Sequence, residues 1–344
     1  MSRSSIPLMG LMLGDSTGIG PEQCARILSD RRLDDVARLL VVGDARVLEL
    51  GARDAHVELH WRSYAAPEAI DWTRDEIAVL DLANLDPACV RRGQISEASG
   101  RVAGETLAYM VDLAVAGRIE GITFAPLNKA ALNAGGWRFN DEHQLFAHLT
   151  RHGGFFSEMN VLDGLWMSRV TSHVALKVAL EQLSIERIEQ ALTLAEMTMR
   201  GAGIEEPRIA VAALNPHAGE NGLFGREELD MIAPAVAHAA ARGIHCCGPF
   251  AADTVFLKAF AGEYDGVLSM YHDQGQIATK LKGFNRGVTV TAGLKTVFTT
   301  PAHGTAFDIV GQGRANTGAL EQAVRLGARL AAARRRSTVG TAGA

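Results

Sequence analysis

Short apolar runs alternate with amphipathic helical patterns along almost the whole 344-residue chain, and this alternation restricts the fold more than any other feature. Strand-length runs separated by helical spacing are the pattern of an α/β protein. Candidate strands are read at 7–13, 39–42, 121–124, 160–162, 169–171, 209–214, 266–270, 288–291 and 297–299. The clearest helix starts after Ser184, an N-cap residue followed by Ile185, Ile188, Leu192, Ala195 and Met199 on one face. Others are read over 104–115, over 226–241 and from Thr317 to about Arg336. Residues 52–100 carry mixed patterns and are left unassigned. The chain is more than twice the length of a typical ~150-residue domain, yet no Gly/Ser- or Pro-rich linker divides it. The expectation is one unit over 1–336, built from two interleaved α/β subdomains that share an interrupted sheet. The residues 337–344 have no periodicity and are expected to form a disordered tail.

Charge and cysteine usage narrow the function. Lys and Arg number 34 against 39 Asp and Glu, a net charge of -5, so the basic footprint of a nucleic-acid binder is missing. Cys24, Cys89, Cys246 and Cys247 offer no CxxC spacing, and an adjacent pair is a poor start for a disulfide framework. A reducing cytoplasm is the simplest reading. The apolar run at 7–13 is broken by Asp15 and is too short for a signal-peptide core or a membrane span.

That first run leads into Gly14-Asp15-Ser16-Thr17-Gly18-Ile19-Gly20-Pro21-Glu22, with Pro21 suited to a first helical turn. The spacing is neither GxGxxG nor a P-loop. A structural turn and a ligand-binding loop both fit it.

Three histidines stand just past candidate strands. His173 follows 169–171, His217 follows 209–214 in Asn215-Pro-His-Ala-Gly-Glu220, and His272 follows 266–270 in Tyr271-His-Asp-Gln274. The carboxyl ends of buried strands are where α/β sheets place ligand-binding groups. Singly each is readable as a loop or core histidine; together they suit one divalent ion with positions left open for substrate. His245, beside Cys246 and Cys247, is a rival cluster without ligand spacing, read as structural at a helix end. Asp253 is suited to capping a helix and to standing near a metal. Lys280 is either a solvated lysine or a cation for an anionic substrate.

Taken together, these segments resemble the 4-hydroxythreonine-4-phosphate dehydrogenase family of vitamin B6 synthesis. The resemblance runs over about residues 7–330. It is carried by the glycine loop, by Asn215-Pro-His217-Ala-Gly-Glu220 with Gly225 and Glu228, and by Gly248-Pro-Phe-Ala-Ala-Asp253-Thr254. Met270-Tyr-His-Asp-Gln-Gly275, Gly283-Phe-Asn-Arg286-Gly-Val288 and His303-Gly-Thr-Ala-Phe-Asp308-Ile-Val-Gly311 complete it. A broader likeness to isopropylmalate and isocitrate dehydrogenases implies two α/β/α subdomains on an interrupted mixed sheet with a cleft between them. It also implies NAD or NADP held by His303, Gly304, Thr305, Ala306, Asp308 and Asn316. The family further implies a homodimer whose active site the partner subunit completes. It makes His173, His217 and His272 the metal ligands, and places His143, Lys280 and the Arg286 region near the substrate.

The departures from the family concern the substrate end. Its His-Thr pair reads His143-Gln144 here, its substrate-binding asparagine aligns with Thr289, and its arginine aligns with Phe298. Losing a charge-assisted contact to phosphate costs roughly 1.5–3 kcal/mol, or ~10- to 100-fold in affinity. A non-phosphorylated substrate, as in terephthalate dihydrodiol dehydrogenases, is therefore the alternative reading, with Phe298 against a ring; a ligand-binding descendant without catalysis is a second. The chemistry implied is oxidation of a secondary hydroxyl, with decarboxylation where a carboxylate lies β to the new ketone. A Lewis-acid ion stabilises the charge that develops. Asp253, Asp273 and Lys129 are the candidate proton carriers. Histidine ligands suit Zn²⁺, Co²⁺ or Ni²⁺, whereas Mg²⁺ prefers oxygen.

Overall fold

Twelve strands form among the residues that the computed structural model describes, 6–283 and 286–341. Phe284 and Asn285 of the Gly283 motif, and the last three residues of the expected tail, lie outside them. The strands are β1 Leu8–Met12, β2 Arg38–Gly43, β3 Trp61–Tyr64, β4 Ile77–Asp81, β5 Gly121–Phe124 and β6 Ser157–Leu162. They continue with β7 Leu165–Arg169, β8 Ile209–Ala212, β9 Cys246–Phe250, β10 Gly266–Ser269, β11 Val288–Ala292 and β12 Val297–Pro301. The chain divides into two compact units: unit one holds 6–152 and 294–341, and unit two holds 153–293.

In unit one the strand order is β3-β4-β2-β1-β5-β12, every pair parallel. Parallel sheets are covered on both faces, so their central strands read as unbroken apolar runs rather than alternating ones. Met9, Leu11, Val41 and Ile122 are accordingly buried on β1, β2 and β5. Leu107 and Met110 of the helix Glu97–Val115 and Leu320 and Val324 of Gly318–Thr341 supply further core.

Unit two is mixed. Its order is β11-β6-β7-β10-β8-β9; β6 pairs antiparallel with β11 and β7, while β7, β10, β8 and β9 run parallel. The predicted helix face is the buried one: Ile188, Leu192, Ala195 and Met199 of Ile185–Gly201 are buried, and Ser184 Oγ accepts from Arg187 N at 3.1 Å.

Several expectations are corrected. The strand read at 169–171 lies earlier, because the buried residues Trp166-Met-Ser-Arg169 supply the pairing with β10. The unassigned 52–100 region holds β3 and β4; β3 is an edge strand with exposed Arg62 and Ser63, which erases its alternation. The helix read over 104–115 starts at Glu97, with Ser96 capping Ser99 N at 3.2 Å. Gly100 lies where the helix meets the Ala131 backbone, too close for a Cβ. The stretch 226–241 opens with one wide turn, Glu228–Ile232, before Ala233–Ala241. His245 precedes β9 instead of closing a helix, since the chain turns at Gly243 with φ +90°. The last helix passes Arg336 and runs to Thr341, so part of the expected tail is helical. All four cysteines are free, and no helix among the described residues is long and apolar enough to cross a membrane.

Candidate active site

The three histidines emerge from the carboxyl ends of three neighbouring parallel strands of unit two, β7, β10 and β8. His173 and His272 are brought together, their ring centroids 5.2 Å apart. Backbone bonds zip the two segments: Val170 N donates to Ser269 O at 2.9 Å and Thr171 N to Met270 O at 3.3 Å. The Thr171 hydroxyl donates to Met270 O at 2.9 Å. Gln274 secures the next strand end, accepting from Met270 N and donating to Ala213 O at 2.7 Å. His272 Nδ1 lies 2.7 Å from Asp273 Oδ1, and His173 Nε2 lies 3.7 Å from Glu158 Oε2. Burial holds the His272 imidazole below its usual pKa, outweighing the opposing pull of Asp273, and so favours the neutral form that can ligate a metal. A cavity of about 180 Å³ adjoins the pair, lined by Thr171, Ser172, Tyr271 and Asp273 on its polar side and by Val174 and Leu176 on its apolar side.

His217 is placed differently. It is exposed, with its ring 6.2 Å from that of Phe224. It opens a left-handed stretch in which His217, Ala218, Gly219, Glu220 and Asn221 all have φ between 42° and 77°. Left-handed backbone costs on the order of 1–2 kcal/mol per non-glycine residue, so something must hold this loop. The buried Glu228 carboxylate does so, accepting from Leu214 N at 2.8 Å, Asn215 N at 2.7 Å and Asn215 Nδ2 at 2.9 Å. Among the described residues no group of three His, Cys, Asp or Glu side chains is placed to hold a metal. Two of the three expected ligands meet, and the third stands apart on a strained loop.

The expected proton carriers are dispersed. Asp273 is 74 % exposed beside His272. Asp253 is exposed within the first turn of Ala252–Phe260, whose N-cap is Ala251, so its expected capping role is not realised. Lys129 belongs to unit one, with Nζ 3.5 Å from Glu142 Oε2. His143 is buried next to Glu142, and the Gln144 amide N donates to the Asp141 cap at 2.8 Å. Lys280 is exposed on His272–Gly283. Thr289 is buried and accepts from Asn160 Nδ2 at 2.9 Å. Phe298 is 0 % exposed and stacks on Phe146 at 4.0 Å, which makes it a core residue and not the wall of a ring-binding pocket.

The expected cofactor loop lies wholly in unit one and packs on the glycine loop. Ile19 N donates to Thr305 O at 3.1 Å, Ala315 N to Glu22 Oε1 at 2.8 Å, and Gln23 Nε2 to Asn316 O at 2.6 Å. A Cβ on Gly18 would sit 2.8 Å from Thr305 Cβ, so the glycine there serves close approach. Burial lowers the His303 pKa, and the ring's partners agree with a neutral imidazole: Nδ1 donates to Gly304 O at 3.0 Å and Nε2 accepts from Gln23 Nε2 at 3.3 Å. Gly304 itself faces open space, Asp308 is exposed and Ala306 is left-handed at φ 43°. The glycine loop is a scaffold for this second loop, braced by the Asp15–Ser99 hydrogen bond at 2.6 Å.

Glu158, Asn160 and Arg169 were not singled out as site residues from the sequence, and Glu228 entered only as part of a motif. The signal for the first two lay in Ser157-Glu-Met-Asn-Val-Leu162, where polar residues two apart share one face of a strand inside the sheet.

The family model for the pyridoxal phosphate biosynthetic protein PdxA matches residues 35–327. A putative 4-hydroxythreonine-4-phosphate dehydrogenase 2 of Pseudomonas aeruginosa is 46% identical over 332 residues, covering 96% of this chain and 98% of that one. The crystal structure of 4-hydroxythreonine-4-phosphate dehydrogenase from Klebsiella pneumoniae superposes with a TM-score of 0.80 at 37% identity, covering 94% of this chain and 99% of the other. A terephthalate 1,2-cis-dihydrodiol dehydrogenase from Burkholderia xenovorans gives 0.65 at 27% identity, covering 94% and 98%. The chain belongs to the PdxA family and is an oxidoreductase acting on a CH–OH group.

Proposed function

We propose that this chain is a divalent-metal- and NAD(P)-dependent dehydrogenase that oxidises the secondary hydroxyl of a small phosphorylated hydroxy acid, 4-hydroxythreonine 4-phosphate or a close analogue, with decarboxylation of the product. The observation that carries this reading is the His173–His272 pair at the ends of adjacent parallel strands, with one imidazole kept neutral by burial. His173, His217 and His272 would hold the cation, which when bound polarises the hydroxyl and stabilises the negative charge developing on oxidation and on loss of CO₂. The open backbone at Gly304 and the neutral His303 suit a loop that receives a nicotinamide dinucleotide, the acceptor of the hydride. Asp273, fixed by His272, is the group of unit two proposed to carry the hydroxyl proton.

The active unit we propose is a homodimer. Of the large apolar side chains exposed among the described residues, only Ile95 and Val115 lie outside unit two; Leu223, Phe224, Leu257 and Leu281 are among those within it. Exposed apolar side chains gathered in one unit suit an association surface there, and a second copy would supply the missing imidazole. Mixing inactive His217→Ala and His272→Ala chains tests this. If a site draws its ligands from two copies, mixed dimers regain one intact site; if both stay silent on mixing, each site is internal to one chain.

The likeness to a terephthalate 1,2-cis-dihydrodiol dehydrogenase supports a second reading, a non-phosphorylated dihydrodiol carboxylate. Absorbance at 340 nm decides between them, with 4-hydroxythreonine 4-phosphate or a cis-dihydrodiol carboxylate, NAD or NADP, and protein before and after chelation. Metal-dependent reduction with the phosphorylated substrate supports the first reading, and turnover of the diol alone replaces it. Metal-independent turnover removes the histidine assignment.

A further inference from the structure

The most heavily charged part of the unit-two core is a buried polar chain that ends at His173. Glu158 and Asn160 share a face of β6, and both are more than nine-tenths buried, as are Arg169 on β7 and Thr289 on β11. Asn160 Nδ2 donates to Glu158 Oε1 at 3.1 Å and to Thr289 Oγ1 at 2.9 Å. Asn160 Oδ1 accepts from Arg169 and from Gln276 Nε2, the latter at 3.0 Å. Arg169 Nη1 reaches Glu158 Oε2 at 3.5 Å, and the same oxygen lies 3.7 Å from His173 Nε2, inside ion-pair range and slightly beyond a hydrogen bond. Gln276 sits on the helix that begins at His272, so the chain touches both elements bearing the paired imidazoles.

A core arginine–carboxylate pair is a poor way to gain stability, since apolar residues of similar volume do as well or better. Such a set is better explained by what it orients. Metal-ligating histidines commonly give their other ring N–H to a carboxylate, which fixes tautomer and ring orientation. We propose that Glu158 is a positioning residue for His173. Its carboxylate, clamped by Arg169 and Asn160, sets the ring's orientation and keeps the proton on Nε2, and so raises divalent-cation affinity at the His173–His272 pair. This rests on the metal reading given above. It also accounts for Thr289, which anchors Asn160 and is occupied within the core.

The test uses full-length chelated protein titrated with Co²⁺, read by the cobalt visible spectrum. Glu158→Gln is expected to weaken binding ~10- to 100-fold and to shift the cobalt bands, with Glu158→Asp recovering part of the loss. Because Glu158→Gln leaves Arg169 unpaired, the Glu158→Gln/Arg169→Met double variant removes that charge and is expected to show the same loss in a stably folded chain. A folded double variant with wild-type affinity and spectrum overturns the proposal. A measurement on the unmutated chain stands beside it: histidine ¹⁵N shifts are expected to show His173 protonated at Nε2, and the other tautomer refutes the assignment. The His272→Ala variant separates the two levels. If it leaves Co²⁺ binding intact, the metal reading fails; if it abolishes binding while Glu158→Gln does not, only the role of Glu158 fails.

Discussion

Two loops of this chain follow buried parallel strands and present candidate ligand groups, but they are built in opposite ways. In unit one the loop over 303–316 is laced to the glycine loop and the helix after it by bonds from Ile19, Gln23 and Ala315, with Arg26 adding another to Gly313 O. Its left-handed residues are two glycines, Gly311 and Gly313, and Ala306. In unit two the loop after β8 has four non-glycine residues in left-handed backbone, and its base is tied by Glu228, with Glu227 adding a bond from Asn215 Nδ2. The first is a stiff frame whose shape comes from many modest bonds. The second concentrates strain and its restraint in a few residues, which is how chains hold a group in a position that relaxed backbone would not give it.

The largest effect expected from breaking this contrast is at the histidine pair. His272→Ala should lower metal-dependent turnover on the order of 10⁴-fold, about 5 kcal/mol, while leaving the melting temperature nearly unchanged, since the ring is only part-buried. Turnover within tenfold of wild type would disprove its role. Next comes Phe298→Ala in unit one. With Phe298 stacked on Phe146, itself edge-on to Phe124 at 5.4 Å, the loss should be about 3–4 kcal/mol of stability by denaturant titration, with KM little altered. A large change in KM with stability preserved would return Phe298 to the substrate site.

Phe298 also shows where sequence reading stops. The strand Val297–Pro301 was legible within two residues because Val297, Phe298, Thr299 and Thr300 are all β-branched or aromatic, as was the helix after Ser184, whose cap and 3.6-residue period agree. Which way one side chain of a doubly covered strand points is not legible, because both faces are apolar and the period-two signal vanishes. The same loss hid β4, whereas β3 was hidden as an exposed edge strand. At the site, the order β7-β10-β8 makes neighbours of the three strands that the histidines follow, an adjacency hinted at by their shared place after strands, although only His173 and His272 meet. The outward ring of His217 was beyond reach, because it depends on five consecutive left-handed residues of which only Gly219 and, more weakly, Asn221 advertise that conformation. Glu158 and Arg169 were hidden for a related reason: charged residues in a strand read as surface, and only their pairing across β6, β7 and β11 makes them interior.

Glu228→Ala sharpens the comparison from the unit-two side. Leu214 N and Asn215 N lose a charged acceptor that contributes roughly 1.5–3 kcal/mol per bond, offset by relaxation of the strained loop. The expected net cost is about 2 kcal/mol, seen as a lower unfolding midpoint and faster proteolytic cleavage within 214–228. Unchanged cleavage there would mean that the left-handed stretch holds itself.

The smallest expected effect tests the frame in unit one. A methyl group at Gly18 would lie 2.8 Å from Thr305 Cβ and 3.0 Å from Thr305 O, closer than packed carbons and oxygens tolerate, and it must push the 303–308 segment outward. Overpacking of this kind costs typically 1–3 kcal/mol, and here the cheapest relief is to loosen the Ile19 N to Thr305 O bond. Gly18→Ala should therefore cost about 1 kcal/mol, raising the dissociation constant for NAD or NADP about fivefold while Co²⁺ binding at unit two stays at the wild-type value. Equal losses at both would show that the loops are mechanically coupled; loss at neither would show that Thr305 yields freely and that the laced loop is softer than its hydrogen bonds imply.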